Sequence, residues 1–210
     1  ALRHPDRVKG VGGMSVPFVP RGPMAPIPLF TQLFGDNFFY ILYFQEPGVA
    51  EAELEADPYD TMRRTLVGIS SAGMDAAAAL TTGARHKDTT KFLTHFANPD
   101  TLPAWLSEDE LRHFADEFAH SGFRGPLNYY RNMDRNWELN ESFTGAKVEL
   151  PALFVTGADD PVRRMAPDAF LDEWVPGLRG KVIIDGAGHW VQQEKPAETN
   201  AAVLEFLAGL

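Results

Sequence analysis

From the end of a proline-rich stretch at Pro28 to about Glu141, apolar positions recur at helical spacing. Asp57-Pro58 supplies an N-cap and a first-turn proline, after which Tyr59, Met62, Leu66 and Ile69 share one face. Ser107 and Glu110 make a capping box ahead of Leu111, Phe114, Ala115 and Phe118, the spacing of an amphipathic helix that Gly122 should end. Helical patterns of this kind run on to about Glu141. They follow a proline-rich stretch from Phe18 to Pro28, without periodicity, that reads as a linker. Ahead of it, Val8 to Val16 reads as a short, glycine-containing buried strand. Beyond Glu141 the pattern changes. Leu150 to Val155 is a continuous apolar run closed by Gly157, as expected of a parallel strand buried on both faces. A helix with Phe170, Leu171 and Trp174 on its apolar side should follow, then a second strand over Lys181 to Ile184. A last helix from near Pro196 should bury Ala197, Val203, Leu204 and Leu207. Strand–helix–strand–helix is the order of an α/β fold, and the helical block reads as an insertion into an α/β core.

Composition narrows the function classes. The 210 residues are 44% hydrophobic and include 15 Phe, 4 Trp and 5 Tyr, enough apolar surface to exclude disorder. A chain of this length buries roughly 70% of its unfolded surface and needs no metal or disulfide staple. The 29 acidic residues outnumber the 19 basic ones, for a formal charge of −10, which repels phosphate backbones and argues against a nucleic-acid partner. With no Cys, disulfides, thiol nucleophiles and thiolate metal sites drop out together, and a reducing compartment is allowed. No apolar run approaches the ~20 residues of a membrane span, and no signal peptide opens the chain. Ala1 to Asp6 reads as the end of a helix stopped by Pro5, with no initiator Met. That predicts a C-terminal part of something longer.

Several motifs fail on context. Gly10-Val11-Gly12 is followed by Ser15-Val16-Pro17 where a dinucleotide-binding helix should open. Gly68-Ile69-Ser70-Ser71-Ala72 resembles a nucleophile elbow but lies in a helical pattern and lacks the closing glycine, so Ser70 reads as a helix-end residue. His113 and His120 lack a metal-binding context, and His4, His86 and His95 read as surface residues. His189 stands apart. It follows a strand in Asp185-Gly186-Ala187-Gly188-His189-Trp190, at the strand edge where open α/β sheets place active sites. Asp159 and Asp160 follow the preceding strand at the same edge. Taken singly, these are compatible with a loop histidine and an Asp-Pro turn. Together they repeat the acid-then-base order of α/β-hydrolases, in which the acid sets the imidazole tautomer and the base activates water or a nucleophile.

Two longer blocks extend this reading. Tyr43 to Leu54 (YFQEPGVAEAEL) and Ser121 to Asn132 (SGFRGPLNYYRN) resemble the lid segments of soluble epoxide hydrolases, and Gly188-His189-Trp190 with Glu194-Lys195-Pro196 resembles their histidine segment. The resemblance covers essentially the whole chain. It implies an α/β-hydrolase core over 1–17 and 146–210 and a helical lid with linkers over 18–145. It also implies conversion of a lipophilic epoxide to a vicinal diol without cofactor. In that family an aspartate attacks an epoxide carbon to form an alkyl ester, two lid tyrosines donate hydrogen bonds to the epoxide oxygen, and a His–Asp pair activates the water that hydrolyses the ester. By motif the tyrosines are Tyr40 and Tyr130, the base His189 and its acid Asp160, with Asp159 as fallback. Phe38 and Trp190 are implied as pocket residues, while Tyr43 and Tyr129 read as packing residues. Tyr40 and Tyr130 should point into one cavity that His189 faces, with Asp160 on its far nitrogen. The nucleophilic aspartate and the oxyanion loop belong upstream of Ala1 in this family, so the chain is expected to be inactive alone. Haloalkane dehalogenation uses the same ester, base and acid but holds a halide with Trp or Asn donors. A catalytically silent ligand-binding protein of the same fold is the rival from another class. The resemblance further implies a cytoplasmic detoxification enzyme acting on lipid epoxides, and leaves monomer and homodimer open.

Overall fold

The computed structural model describes residues 1–73, 86–87, 90–96, 98–166 and 168–210. Residues 74–85 of the expected lid lie outside them. The chain divides into two units, one of residues 1–21, 69–74 and 142–210, the other of residues 22–68 and 75–141.

In the first unit β1 (Val11–Met14), β2 (Ala152–Gly157) and β3 (Leu178–Ile184) form a parallel sheet in the order β1-β2-β3. Val11 lies opposite Ala152, and Gly157 opposite Ile184. All six residues of β2 are buried. Its side chains alternate between two apolar layers. Ala152 and Phe154 pack with Val148, Leu171 and Val175, and Leu153 and Val155 with Ile184, Ala187 and Val191. Both faces of β2 are therefore hydrophobic, which is why its sequence shows no alternation. Each fully buried side chain such as Val155 contributes about 1.5–3 kcal/mol.

The strand bounds differ from those read in sequence. β2 begins at Ala152 because Pro151 has no N–H for the ladder, and its carbonyl instead accepts the Val11 N–H at 2.9 Å. β1 is shorter than expected because Ser15 turns to φ 61°. β3 reaches back to Leu178 across an irregularity in the pairing with β2.

Helices α8 (Val162–Met165), α9 (Leu171–Trp174), α10 (Val191–Glu194) and α11 (Pro196–Ala208) complete this unit. Two expectations about buried faces are overturned here. On α11 the packed face is Thr199, Ala202, Val203 and Phe206, an i, i+3, i+4, i+7 set. Leu204 and Leu207 are 65% and 54% exposed, and Ala197 is exposed as well. Leu204 and Leu207 lie about 150° and about 90° around the helix from the centre of the packed stripe, and apolar residues both inside and beside it hide its position from a hydrophobicity reading. Phe170 is also exposed, because it closes a 3₁₀ turn (Asp168–Phe170) before α9 begins, and only Leu171 turns inward.

The second unit is helical: α1 (Pro26–Phe34), α2 (Tyr40–Tyr43), α3 (Val49–Leu54), α4 (Pro58–Gly68), α5 (Glu108–Ser121), α6 (Arg124–Arg131) and α7 (Met133–Leu139). α1 starts inside the expected linker. Pro26 and Pro28 occupy its first turn, where the backbone N–H groups have no helical acceptor anyway. α4 is capped by Asp57, whose Oδ1 accepts the Asp60 N–H at 3.0 Å. Ser107 and Glu110 cap α5 reciprocally, and Gly122 ends it at φ 69°. α4 and α5 pack together, burying Met62, Leu66, Leu111 and Ala115. His95 is a third correction. It is 4% exposed, with its ring 4.6 Å from that of Phe38, because the 3₁₀ turn Phe92–His95 carries it inward beside Phe92.

The order of a parallel sheet with a block of helices inserted between β1 and β2 is that of an α/β-hydrolase core with its lid. Among the described residues no helix is long and apolar enough to cross a membrane.

Candidate active site

β2 and β3 run parallel as neighbours, so the loops leaving their C-terminal ends start from the same sheet edge. Two glycines let those loops meet. A Cβ at Gly157 would run into the carbonyls of Ala187 and Gly188, and one at Gly188 would lie 2.5 Å from the Ser70 carbonyl carbon. His189 Nδ1 lies 3.1 Å and 3.2 Å from the two carboxylate oxygens of Asp160. The Asp160 side chain is fully buried, and that of His189 is 20% exposed. Asp160 is itself held by the Val162 N–H, at 2.9 Å from Oδ1, and by the Thr156 hydroxyl, at 3.3 Å from Oδ2. The first is the turn that an Asp makes with the N–H two residues on. A buried carboxylate facing Nδ1 makes that nitrogen the donor, which leaves the Nε2 lone pair to accept a proton. Asp159 engages the same loop only through its backbone N–H, which donates to the Ala187 carbonyl at 2.9 Å. The Trp190 indole meets the imidazole edge-on, with ring centres 5.0 Å apart.

In the helical unit, Tyr40 opens α2 and Tyr130 stands one residue before the end of α6. Their rings meet edge-to-face, 5.7 Å apart at 83°. Phe44 touches both, at 5.7 Å and 5.1 Å, and Phe39 lies 5.1 Å from Tyr40. Burial pushes the Tyr130 phenol up from its ordinary pKa, which keeps it a protonated donor. An ion pair ties α6 to α3, and a hydrogen bond ties α6 to the end of α2. Arg131 donates to both Glu51 oxygens, at 2.6 Å and 2.8 Å, and through Nε to the Phe44 carbonyl at 2.8 Å. Hydrogen bonding to Arg131 draws the Glu51 carboxyl down to about 2. Gln45 adds a contact to the Tyr130 carbonyl at 3.3 Å.

Tyr43, Tyr129 and Phe38 stand apart from this pair. Tyr43 donates to Glu53 at 2.7 Å, and Glu53 also accepts the N–H groups of Phe92 and Leu93. Burial first, and then Glu53, push the Tyr43 phenol up. Tyr129 is 82% exposed. Phe38 is buried against the rings of Tyr43 and His95, whereas Phe39 is the neighbour of Tyr40. Sequence reasoning missed Phe44, Glu51 and Arg131. All three lie in or beside the two lid blocks, but nothing in their spacing pairs an acid with a base 80 positions away.

Among the described residues no group of three His, Asp or Glu could hold a metal ion. No family model matches the chain. Individual proteins do. Epoxide hydrolase A of Mycobacterium tuberculosis is 48% identical over 209 residues, covering 100% of this chain and 64% of that relative. The crystal structure of epoxide hydrolase A from Mycobacterium thermoresistibile matches with a TM-score of 0.91 at 50% identity, over 99% of this chain and 64% of that one. Epoxide hydrolase B of Mycobacterium tuberculosis is 33% identical over 247 residues, covering 100% of this chain and 68% of that relative. The chain belongs to the epoxide hydrolase family. It spans 64% of the length of the first two proteins named. In this member of the family, the sheet edge carries a hydrogen-bonded His–Asp pair and the inserted helices carry a pair of touching tyrosines.

Proposed function

We propose that this protein opens a lipophilic epoxide to a vicinal diol through an alkyl ester. The observation that carries the reading is the Tyr40–Tyr130 pair, brought ring to ring from two helices about 90 positions apart. A departing oxide needs O–H donors, and a halide does not. In this reaction a carboxylate, which the family resemblance locates upstream of residue 1, bonds to one ring carbon as the bond from that carbon to oxygen breaks. Tyr40 and Tyr130 donate to the freed oxygen, and one of them yields its proton to it. His189 Nε2 then takes a proton from water, and the hydroxide adds to the ester carbonyl carbon. The ester C–O bond breaks, the released diol oxygen takes the proton from the imidazolium, and the regenerated carboxylic acid returns its own proton to the tyrosinate. Asp160 stabilises the imidazolium in between. The aromatic residues around the tyrosines support a lipophilic substrate. The same reading assigns the protein to the cytoplasm, where a chain without Cys needs no oxidative folding, and to a homodimer, which sedimentation of the purified protein would test.

The experiment is His189→Gln in the complete gene product. Mixed with a lipophilic epoxide, this variant should gain the mass of one substrate molecule and keep it, while the unchanged protein releases diol. Multiple turnover by the variant would refute the role of His189. Halide release from a haloalkane at a rate matching diol formation would move the protein to dehalogenation. Binding without adduct or diol would make it a ligand-binding protein.

A further inference from the structure

One buried carboxylate takes no part in the chemistry above. Glu194 ends α10 and is 8% exposed. Its Oε1 accepts the N–H of Gly188 at 3.0 Å and of Trp190 at 3.1 Å, and its Oε2 accepts the N–H of Ser71 at 2.9 Å. Two of these three donors flank His189. The contact to Trp190 is one that any helix start could make. The contact to Ser71, 123 positions away, and the contact to Gly188 outside the helix are not explained by capping.

The peptide of His189 is held as well. Its N–H donates to the Ile69 carbonyl at 3.0 Å, and its carbonyl accepts the Ser15 hydroxyl at 2.5 Å. Ser15 is 4% exposed and sits at φ 61°, the sole non-glycine with positive φ among the described residues. A side chain in the left-handed region is disfavoured and persists where its surroundings hold it. The backbone is thus anchored at residues 188, 189 and 190 by one acid, one hydroxyl and one carbonyl.

We propose that Glu194, assisted by Ser15, is a positioning residue for the base. It holds the loop so that Nδ1 meets Asp160 and Nε2 is aimed at the attacking water. The inference rests on the reading of His189 as the base of ester hydrolysis. It implies a split between the two halves of the reaction. Ester formation does not use His189, so a loosened loop leaves it alone and slows only ester hydrolysis.

Glu194→Gln in the complete gene product tests this, because an amide places an N–H₂ donor against at least one backbone donor. Single-turnover intact-mass measurements would follow formation and decay of the ester. A misplacement of about 1 Å can cost about 100-fold. Decay should therefore slow about 10- to 100-fold while formation keeps its rate and KM falls with kcat. Decay at the unchanged rate would overturn the proposal, and so would equal slowing of both steps, which marks general damage. If Glu194→Gln does not fold, Ser15→Gly decides. Glycine accepts φ 61° without strain, so the fold is kept and only the hydroxyl is lost. Slower ester decay supports the proposal and unchanged decay overturns it. His189→Gln run alongside separates the two ideas, since a failure to accumulate ester there refutes the base and not its positioning.

Discussion

The two candidate groups, one in each unit, are held by different means. At the sheet edge, His189 is fixed by directional contacts: Asp160 on its ring, and Ile69, Ser15 and Glu194 on its own and neighbouring peptides. In the helical unit, Tyr40 and Tyr130 are held by aromatic packing and by Arg131, which bonds the end of α2 at the Phe44 carbonyl and pairs with Glu51 of α3. The difference suits the chemistry proposed for each. A base must present one nitrogen in one tautomer, which only directional hydrogen bonds specify. Two donors that share an oxygen need proximity, which packing supplies, and a shift in one can be offset by the other.

That contrast can be broken most sharply at Asp160. Asp160→Asn in the complete gene product should keep the fold but let the imidazole adopt the wrong tautomer. Steady-state turnover should drop by about 10⁴-fold, as it does when a Ser-His-Asp triad loses its acid, with ester accumulating. A loss of only a few-fold would mean that the peptide anchors orient His189 without Asp160.

The tyrosine pair should prove more forgiving. Losing one preorganised donor costs about 2.7–4 kcal/mol when it acts alone. Tyr40→Phe or Tyr130→Phe should each cost less than that in ester formation, and the double change more than either. Rapid-quench measurement of ester formation across the three variants checks this. A single change as severe as the double one would show that the donors do not share their load.

Glu51→Gln should act on stability, through the helices. A hydrogen bond to a charged group contributes about 1.5–3 kcal/mol, and urea melts near neutrality should show a loss of that order. The pH dependence has a definite sign. Glu51 falls from its ordinary 4.5 to about 2 when folded, so its contribution is complete above about 4.5 and fades as the pH drops towards 2. Melts between these two pH values should converge for the variant and the unchanged protein.

Tyr43→Phe should have the smallest effect. Glu53 keeps the N–H groups of Phe92 and Leu93, so the variant should lose about 1 kcal/mol of stability while diol formation is unchanged. A large loss of turnover would transfer the donor role from Tyr40 to Tyr43.

Much of this molecule was legible in the linear chain. The N-cap of α4, the capping box of α5, the doubly buried β2 and the insertion of helices between strands all rest on local rules: which residue caps, which period repeats, where glycine permits a turn. The chain order that sets Asp159 and Asp160 after β2 and His189 after β3 is legible for the same reason. The family motif already favoured Asp160 over Asp159, and tertiary structure alone set its carboxylate 3.1 Å from His189 Nδ1. It alone buried His95, turned Leu204 and Leu207 outward, and matched Glu51 with Arg131 and Glu194 with Ser71. These are pairings over tens of residues, or choices between equally apolar faces, and a sequence states which groups are available without stating the distances between them. Burial and hydrogen-bond partnership depend on those distances, and only the folded chain determines them.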